Sequence, residues 1–299
     1  MARIESVLLG DNPIFGVDHL SLERAREKAS RSQDFSNASE VIKHSLNAGA
    51  KGMVVSTHPR LRDLIEHLKT ETDLLSKITF HPILPYVQGY VLKINERGMM
   101  NTLMEILNKT SLQDKFRIIT KGGFGVLKKD FYQLFKLFVD IELLPLAGTK
   151  RQTIFLHDVL ADLALSLGMK NIFETFQDHL HDNYKLEAGL VTKNFPLMVS
   201  ALNKWNLKYN SIMTSFNKAG FQMNPSRQDC ENSLHEFGGN VIAMSVLAGG
   251  YLKPDDAYEY LSSVPKINTA VIGISSVEHV QNIFDTFLKS RYPSEISRV

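Results

Sequence analysis

Where the apolar runs of this 299-residue chain stop, they stop on residues able to do chemistry. Asp11 and Asn12 follow Leu8-Leu9-Gly10, and Ser56, Thr57 and His58 follow Val54-Val55. His81 with Tyr86, Lys121, His157 with Asp158, Thr192 to Asn194, Ser215 with Asn217 and Lys218, and Ser245 stand at or near the ends of later runs. Lys121 and His157 carry the most weight. Burial lowers the pKa of an amine, which suits Lys121 to acid–base work. His157 follows Ile154-Phe155-Leu156 and is placed to give a proton to a carbonyl oxygen. Tyr86 and His58 are the further candidate donors. For any one of these residues alone, the plain alternative is a polar group that solvates a strand end. If the strand runs on past His157, its neighbour Asp158 points the other way and the two need not be a hydrogen-bonded pair.

A divalent ion is the rival chemistry, because imidazole and carboxylate are zinc ligands and His58, His81, His157 and Asp158 could converge on one. The one His-x-His, His179 and His181, lies in a polar region, and two residues apart on a helix the rings do not share a face. No metal site is expected. Anion chemistry has a better candidate in Gly273-Ile274-Ser275-Ser276-Val277-Glu278. There Ser275 can cap a helix with Glu278 three residues on, and open amides at a helix N-terminus also suit a phosphate. The glycines of Lys121 to Gly125 and Ala248 to Gly250 match neither the dinucleotide fingerprint nor the Walker loop.

The elements that must position these groups alternate from end to end. Strands are predicted at 6–10, 52–56, 77–83, 117–120, 153–157, 186–192, 211–216, 241–246 and 270–274. Helical periods fall between them, at 38–47, 59–68, 99–107, 131–144, 196–205, 225–237 and 277–287 among others. Such alternation gives a parallel sheet with right-handed crossovers. The strands are apolar almost throughout, as when both faces are buried. With no linker or second domain visible, residues 1–299 read as one (β/α)8 TIM barrel, an open doubly wound sheet being the alternative. Nine runs are one too many, so either 77–83 or 117–120 lies outside the barrel, or the barrel starts later than the first run. Active sites of such barrels collect at the C-terminal ends of the strands, where the polar residues above stand.

Composition narrows the partners. Hydrophobic residues make up 43% and charged residues 22%, with a formal net charge of +2. No strong basic field points to nucleic acid, and no apolar stretch is long enough to span a membrane. The single cysteine, Cys230, excludes an internal disulfide and reads as a packed helix residue. The N-terminus shows no signal-peptide pattern, and a cytoplasmic protein acting on a small-molecule substrate is expected.

The second half of the chain resembles the aldo-keto reductase family. Thr153 to Asp158 resembles the strand that ends in that family's active-site histidine. Glu187 to Phe195, with Thr-Lys-Asn-Phe at its end, is similar to the Ser-Asn-Phe strand that holds the nicotinamide amide. Ser245-Val246-Leu247-Ala248-Gly249-Gly250 is similar to the loop along the pyrophosphate, and Asn268 to Asn282 to the final strand and helix that hold the adenosine phosphate. In the first half, Leu8-Leu9-Gly10 resembles the opening strand, and Ile119-Thr120-Lys121-Gly122 places Lys121 as the catalytic lysine. The second strand departs from the pattern. It ends in Ser56-Thr57-His58 where the family has Asp-Thr-Ala, no tyrosine follows before Tyr86, and Met244 replaces a stacking tyrosine.

The resemblance implies NADPH as cofactor, with Thr192, Asn194, Ser245, Leu247, Gly249, Gly273, Ser275, Ser276 and Asn282 as its contacts. It implies an oxidoreductase acting on a small carbonyl compound, with His157, Lys121, Tyr86 and His58 as the catalytic candidates. Generic aldehyde reduction should be weak, because a positioned proton donor and the aspartate that tunes it are missing from their places. A lyase, isomerase or hydrolase on a small polar or phosphorylated substrate is the alternative, and a non-catalytic ligand-binding barrel the next.

Overall fold

The computed structural model describes residues 4–16, 35–71, 73–85 and 131–288. Eight parallel strands close into a barrel in chain order: β1 Ser6–Gly10, β2 Met53–Ser56, β3 Phe80–Leu84, β4 Thr153–Leu156, β5 Glu187–Thr192, β6 Ser211–Ser215, β7 Asn240–Met244 and β8 Ile267–Gly273. Each strand bonds to its successor, and β8 returns to β1 with Leu8 opposite Val271. The surplus strand is thereby settled. The run at 77–83 is the barrel's third strand, starting late because Leu74–Lys77 is a helical turn. β3 bonds directly to β4, so the barrel closes without 117–120. That run and Lys121 lie outside the described residues, as do Tyr86 and the helix predicted at 99–107.

The strands are β-branched and apolar because they are packed on both faces. Leu8, Val54, Phe155, Val191, Met213 and Ile242 fill the lumen with Ile83, Met244 and Val271. The alternate residues, Val7, Leu9, Met53, Val55, Ile154, Leu156 and Leu190 among them, pack outward against the helices. Two glycines make the lumen fit. A Cβ at Gly189 would stand 2.4 Å from the Phe155 ring, and one at Gly52 would stand 2.5 Å from the Thr79 carbonyl and 3.2 Å from the His81 ring.

The described helices are α1 Ser36–Asn47, α2 Leu61–Thr70, α3 Leu74–Lys77, α4 Phe131–Leu143, α5 Asp158–Ser166, α6 Lys170–Tyr184, α7 Phe195–Trp205, α8 Arg227–Ser233, α9 Pro254–Ser263 and α10 Val277–Leu288. On α6, His179 is buried and bonded to Asp140 at 2.8 Å while His181 is exposed, so the two rings do part to different faces. Cys230 lies buried in α8, where burial pushes its thiol up to about 11, a packing residue rather than a nucleophile. No described helix is long and apolar enough to cross a membrane.

Candidate active site

Strand alternation decides which side chains reach the mouth. Residues two beyond the lumen cluster face inward, which selects Ser56 on β2, His157 after β4, Lys193 after β5 and Ser215 on β6.

At the end of β4 the chain turns at once from strand to helix, and His157 (φ −61°, ψ 141°) occupies the N-cap of α5. The strand does not continue past Leu156, so the condition under which Asp158 would point away from His157 is not met. Asp158 opens the helix and folds its carboxylate back onto the imidazole, with Nδ1 to Oδ1 at 2.6 Å. The Val159 N–H lies 2.9 Å from that oxygen and 3.2 Å from Nδ1. The shorter contact satisfies the amide, so Nδ1 keeps its proton for the carboxylate and Nε2 is the nitrogen left for a ligand. Burial works to raise Asp158, but the His157 hydrogen bond and charge, the Lys193 ammonium 3.5 Å away and the Val159 amide outweigh it and hold the carboxyl below its usual range. Sequence reasoning named Lys193 only within a strand end and gave it no role.

Across β3 along the same rim Asp11, 6% exposed after β1, accepts from both the Ser56 N–H (2.6 Å) and the Ser56 hydroxyl (2.5 Å). Neighbouring strands bring the two together across 45 residues of sequence. His58 stands beyond them, stacked on Phe15 with ring centroids 4.7 Å apart, its Nδ1 accepting from the Arg60 N–H at 3.1 Å. Burial, then the Arg60 charge, lowers its pKa and keeps it neutral, so it serves the turn better than it would serve as an acid. His81 is not at the mouth at all. It sits one residue into β3 against Gly52, buried, with no partner for Nδ1 among the described residues. Among the described residues no three His, Cys, Asp or Glu side chains form a group able to hold a metal, which removes the convergence of His58, His81, His157 and Asp158.

The expected cofactor contacts divide. Thr192 is fully buried and donates to Asp162 at 2.5 Å, so its hydroxyl shapes the turn and is not offered to a ligand. Burial, chiefly, raises Asp162, with the Thr192 hydroxyl and the Lys193 N–H opposing. Asn194 caps α7, its Oδ1 accepting from Leu197 N–H at 3.2 Å. Ser245 adopts left-handed backbone (φ 53°) after β7 and receives the Ser215 hydroxyl at 3.3 Å. Leu247 is half-buried against the core, while Gly249 (φ 71°) and Gly250 (φ 92°) are exposed. Gly273 is exposed beside Pro13, which would meet a Cβ there at 2.9 Å. Helix α10 begins at Val277, so Ser276 and not Ser275 stands at its start; the third helical residue is then His279 rather than Glu278, and the predicted Ser275–Glu278 capping box does not form. The Ser276 hydroxyl is buried and has no partner among the described residues. Ser275 and Asn282 are exposed.

No protein-family model and no curated protein matches this sequence. Solved structures do. A Pseudomonas aeruginosa protein assigned to the aldo-keto reductases superposes with a TM-score of 0.61 at 13% identity, over 97% of this chain and 92% of its own. The holo form of aldo-keto reductase AKR11C1 from Bacillus halodurans gives 0.54 at 12% identity over 96% and 89%. A thermostable aldo-keto reductase, Tm1743, solved with the inhibitor epalrestat, gives 0.53 at 14% identity over 97% and 91%. The class the fold defines is the (β/α)8 barrel of aldo-keto reductase architecture.

Proposed function

We propose that the chain is an oxidoreductase that interconverts a small carbonyl compound and its alcohol, with NADPH as redox partner. One observation carries the reading: the His157 imidazole at the end of β4, on the lumen side, backed by Asp158 at 2.6 Å. Residues for the adenosine-phosphate end of the cofactor fit. The Ser276 hydroxyl is a buried polar atom without a partner among the described residues, at the start of a helix that follows a strand. On the loop expected along the pyrophosphate, Gly250 has open space where a side chain would stand. The nicotinamide end fits less fully, because Thr192 is committed to Asp162 and Lys193 replaces a serine of the resembled motif. When bound, NADPH would supply the hydride. His157 would donate its Nε2 proton to the carbonyl oxygen, and Asp158 would stabilise the imidazolium before and orient it throughout. Asn194 Nδ2 would hold the nicotinamide amide.

Acid–base chemistry without a redox step is the second reading. It is favoured by the Lys193 ammonium beside the same Asp158. Calorimetric titration with NADPH separates the two. Micromolar binding with slow turnover of aldehydes is expected, and absence of binding below millimolar concentration would sink the redox reading.

A further inference from the structure

Helix α5 is apolar on its outer face as well as its inner one. Its polar residues, Asp158, Asp162 and Ser166, recur every four positions. Asp158 and Asp162 turn to Lys193 and Thr192 after β5, and the Ser166 hydroxyl returns to the Asp162 carbonyl at 2.7 Å. Ala161, Ala164 and Leu165 pack into the core. Val159, Leu163 and the capping Leu167 are left as an outward ridge, again four residues apart and 50–65% exposed. Leu197 is nearly as exposed on α7, which packs beside α5. Among the described residues these are four of the five large apolar side chains left so open, the fifth being Tyr251 on the loop after β7. Scattered singly they would need no explanation, but gathered on a helix that is apolar on opposite faces they call for a cover.

We infer that a second copy of this chain covers the ridge, with α5 packed on α5 across a twofold axis. Residues spaced by four form the ridge that packs against its like at about −50°. The surface is thus complementary to itself, as a twofold contact requires. Leu163 is the middle residue, and the axis brings it against its own copy. From their exposures the four side chains offer about 400 Å², roughly half of the ~800 Å² that each partner buries in a stable interface. No charge stands on the ridge, so pairing buries no ion. Contacts between different proteins are no more apolar than the rest of a surface, whereas homodimer contacts are, which favours a second copy over another protein. A convex ridge gives a small molecule no pocket. The dimer does not depend on the redox reading and forms with or without NADPH.

Sedimentation velocity on the full chain reads the state directly. Wild type should sediment as a dimer at about 10 μM, a concentration at which interfaces of this size hold. Leu163→Glu sets two like charges together at the axis and should weaken the dimer by about 100-fold or more, with a cooperative thermal melt retained. Tyr251→Glu, the same kind of change on the loop after β7, should leave the dimer intact. Leu163→Cys should be joined to its own copy by a short bis-maleimide, while wild type, whose Cys230 is buried, should not. That cross-link tests the axis even if the glutamate variant fails to fold. A wild-type monomer, a larger oligomer, a dimer that survives Leu163→Glu, or a Leu163→Cys chain that does not cross-link overturns the inference.

Discussion

Among the described residues two histidines line the lumen of this barrel, one near its floor and one at its mouth, and their surroundings give them opposite characters. His81, in the N-terminal half of β3, is 7% exposed with no partner for Nδ1 among the described residues. Burial there pushes its pKa down to about 4, and the ring stays neutral. His157 has the same ring, but it meets a carboxylate at 2.6 Å and keeps a quarter of its side chain exposed. A buried imidazole without a counter-charge is packing material, whereas one with a carboxylate at its back and solvent at its front can carry a proton. The difference is made by the strand-to-helix turn at Leu156–Asp158, which brings a carboxylate within reach of its own neighbour.

The sharpest way to break this contrast is to remove each ring in turn. His157→Ala should lower whatever carbonyl turnover the wild type shows by about 10²–10⁴, the usual worth of a positioned proton donor, with the NADPH Kd unchanged because the loss falls in the transition state. Steady-state rates beside a cofactor titration check both halves. Equal turnover in the variant would remove the mouth histidine from the chemistry.

His81 should instead show itself in stability. Its folded pKa of about 4 lies below the 6.5 of the unfolded chain, so between those values the unfolded chain binds a proton that the folded one refuses. Stability therefore falls as pH drops from 6.5 toward 4, by about 3 kcal/mol at the end of the window. Urea midpoints from pH 7 to 4 should decline less steeply in His81→Leu than in wild type, and parallel curves would contradict the assignment. Gly189→Ala is the next test of the packed lumen. Its Cβ would meet the Phe155 ring at 2.4 Å, and overpacking of this kind typically costs about 1–3 kcal/mol. Thermal melts should register that loss while cofactor affinity stays the same.

Much of this was legible in the sequence, and the parts that were not share a cause. The barrel could be read because runs such as Leu186 to Thr192 and Ser211 to Phe216 are β-branched, apolar and spaced by helical periods. His157 could be read because it ends such a run. Its pairing with Asp158 could not, since that depends on where the strand stops. Lys193 was missed for a related reason. When both faces of a strand are buried, both alternate sets are apolar, and nothing in Leu190-Val191-Thr192-Lys193 tells which set faces the lumen. The Asp11–Ser56 bond joins two strand ends that adjacent βα units bring side by side, but the direction of a hydroxyl is a matter of ångströms. Ser276 shows the same limit at one-residue scale, the helix beginning just after it rather than after Ser275.

The smallest predicted effect asks whether the mouth residues serve the fold or a ligand. Asn194 does one job visibly: its Oδ1 caps α7 through the Leu197 N–H at 3.2 Å. Asn194→Ala removes that acceptor and should cost about 1 kcal/mol in stability, as N-caps do. If Asn194 also donates through Nδ2 to a nicotinamide amide, the same change weakens NADPH by about tenfold, but a loosened helix start could do so too. Asn194→Asp separates the causes. Aspartate caps a helix as well as asparagine does and adds a charge that favours the helix N-terminus, so the melting temperature should hold or rise slightly. It has no amide hydrogens to give. NADPH affinity that falls in Asn194→Asp while the melt does not would show Nδ2 donating to the cofactor. Affinity that follows the melting temperature through both variants would mean that Asn194 is a helix cap alone, and that the nicotinamide end of the site must be sought elsewhere around the mouth.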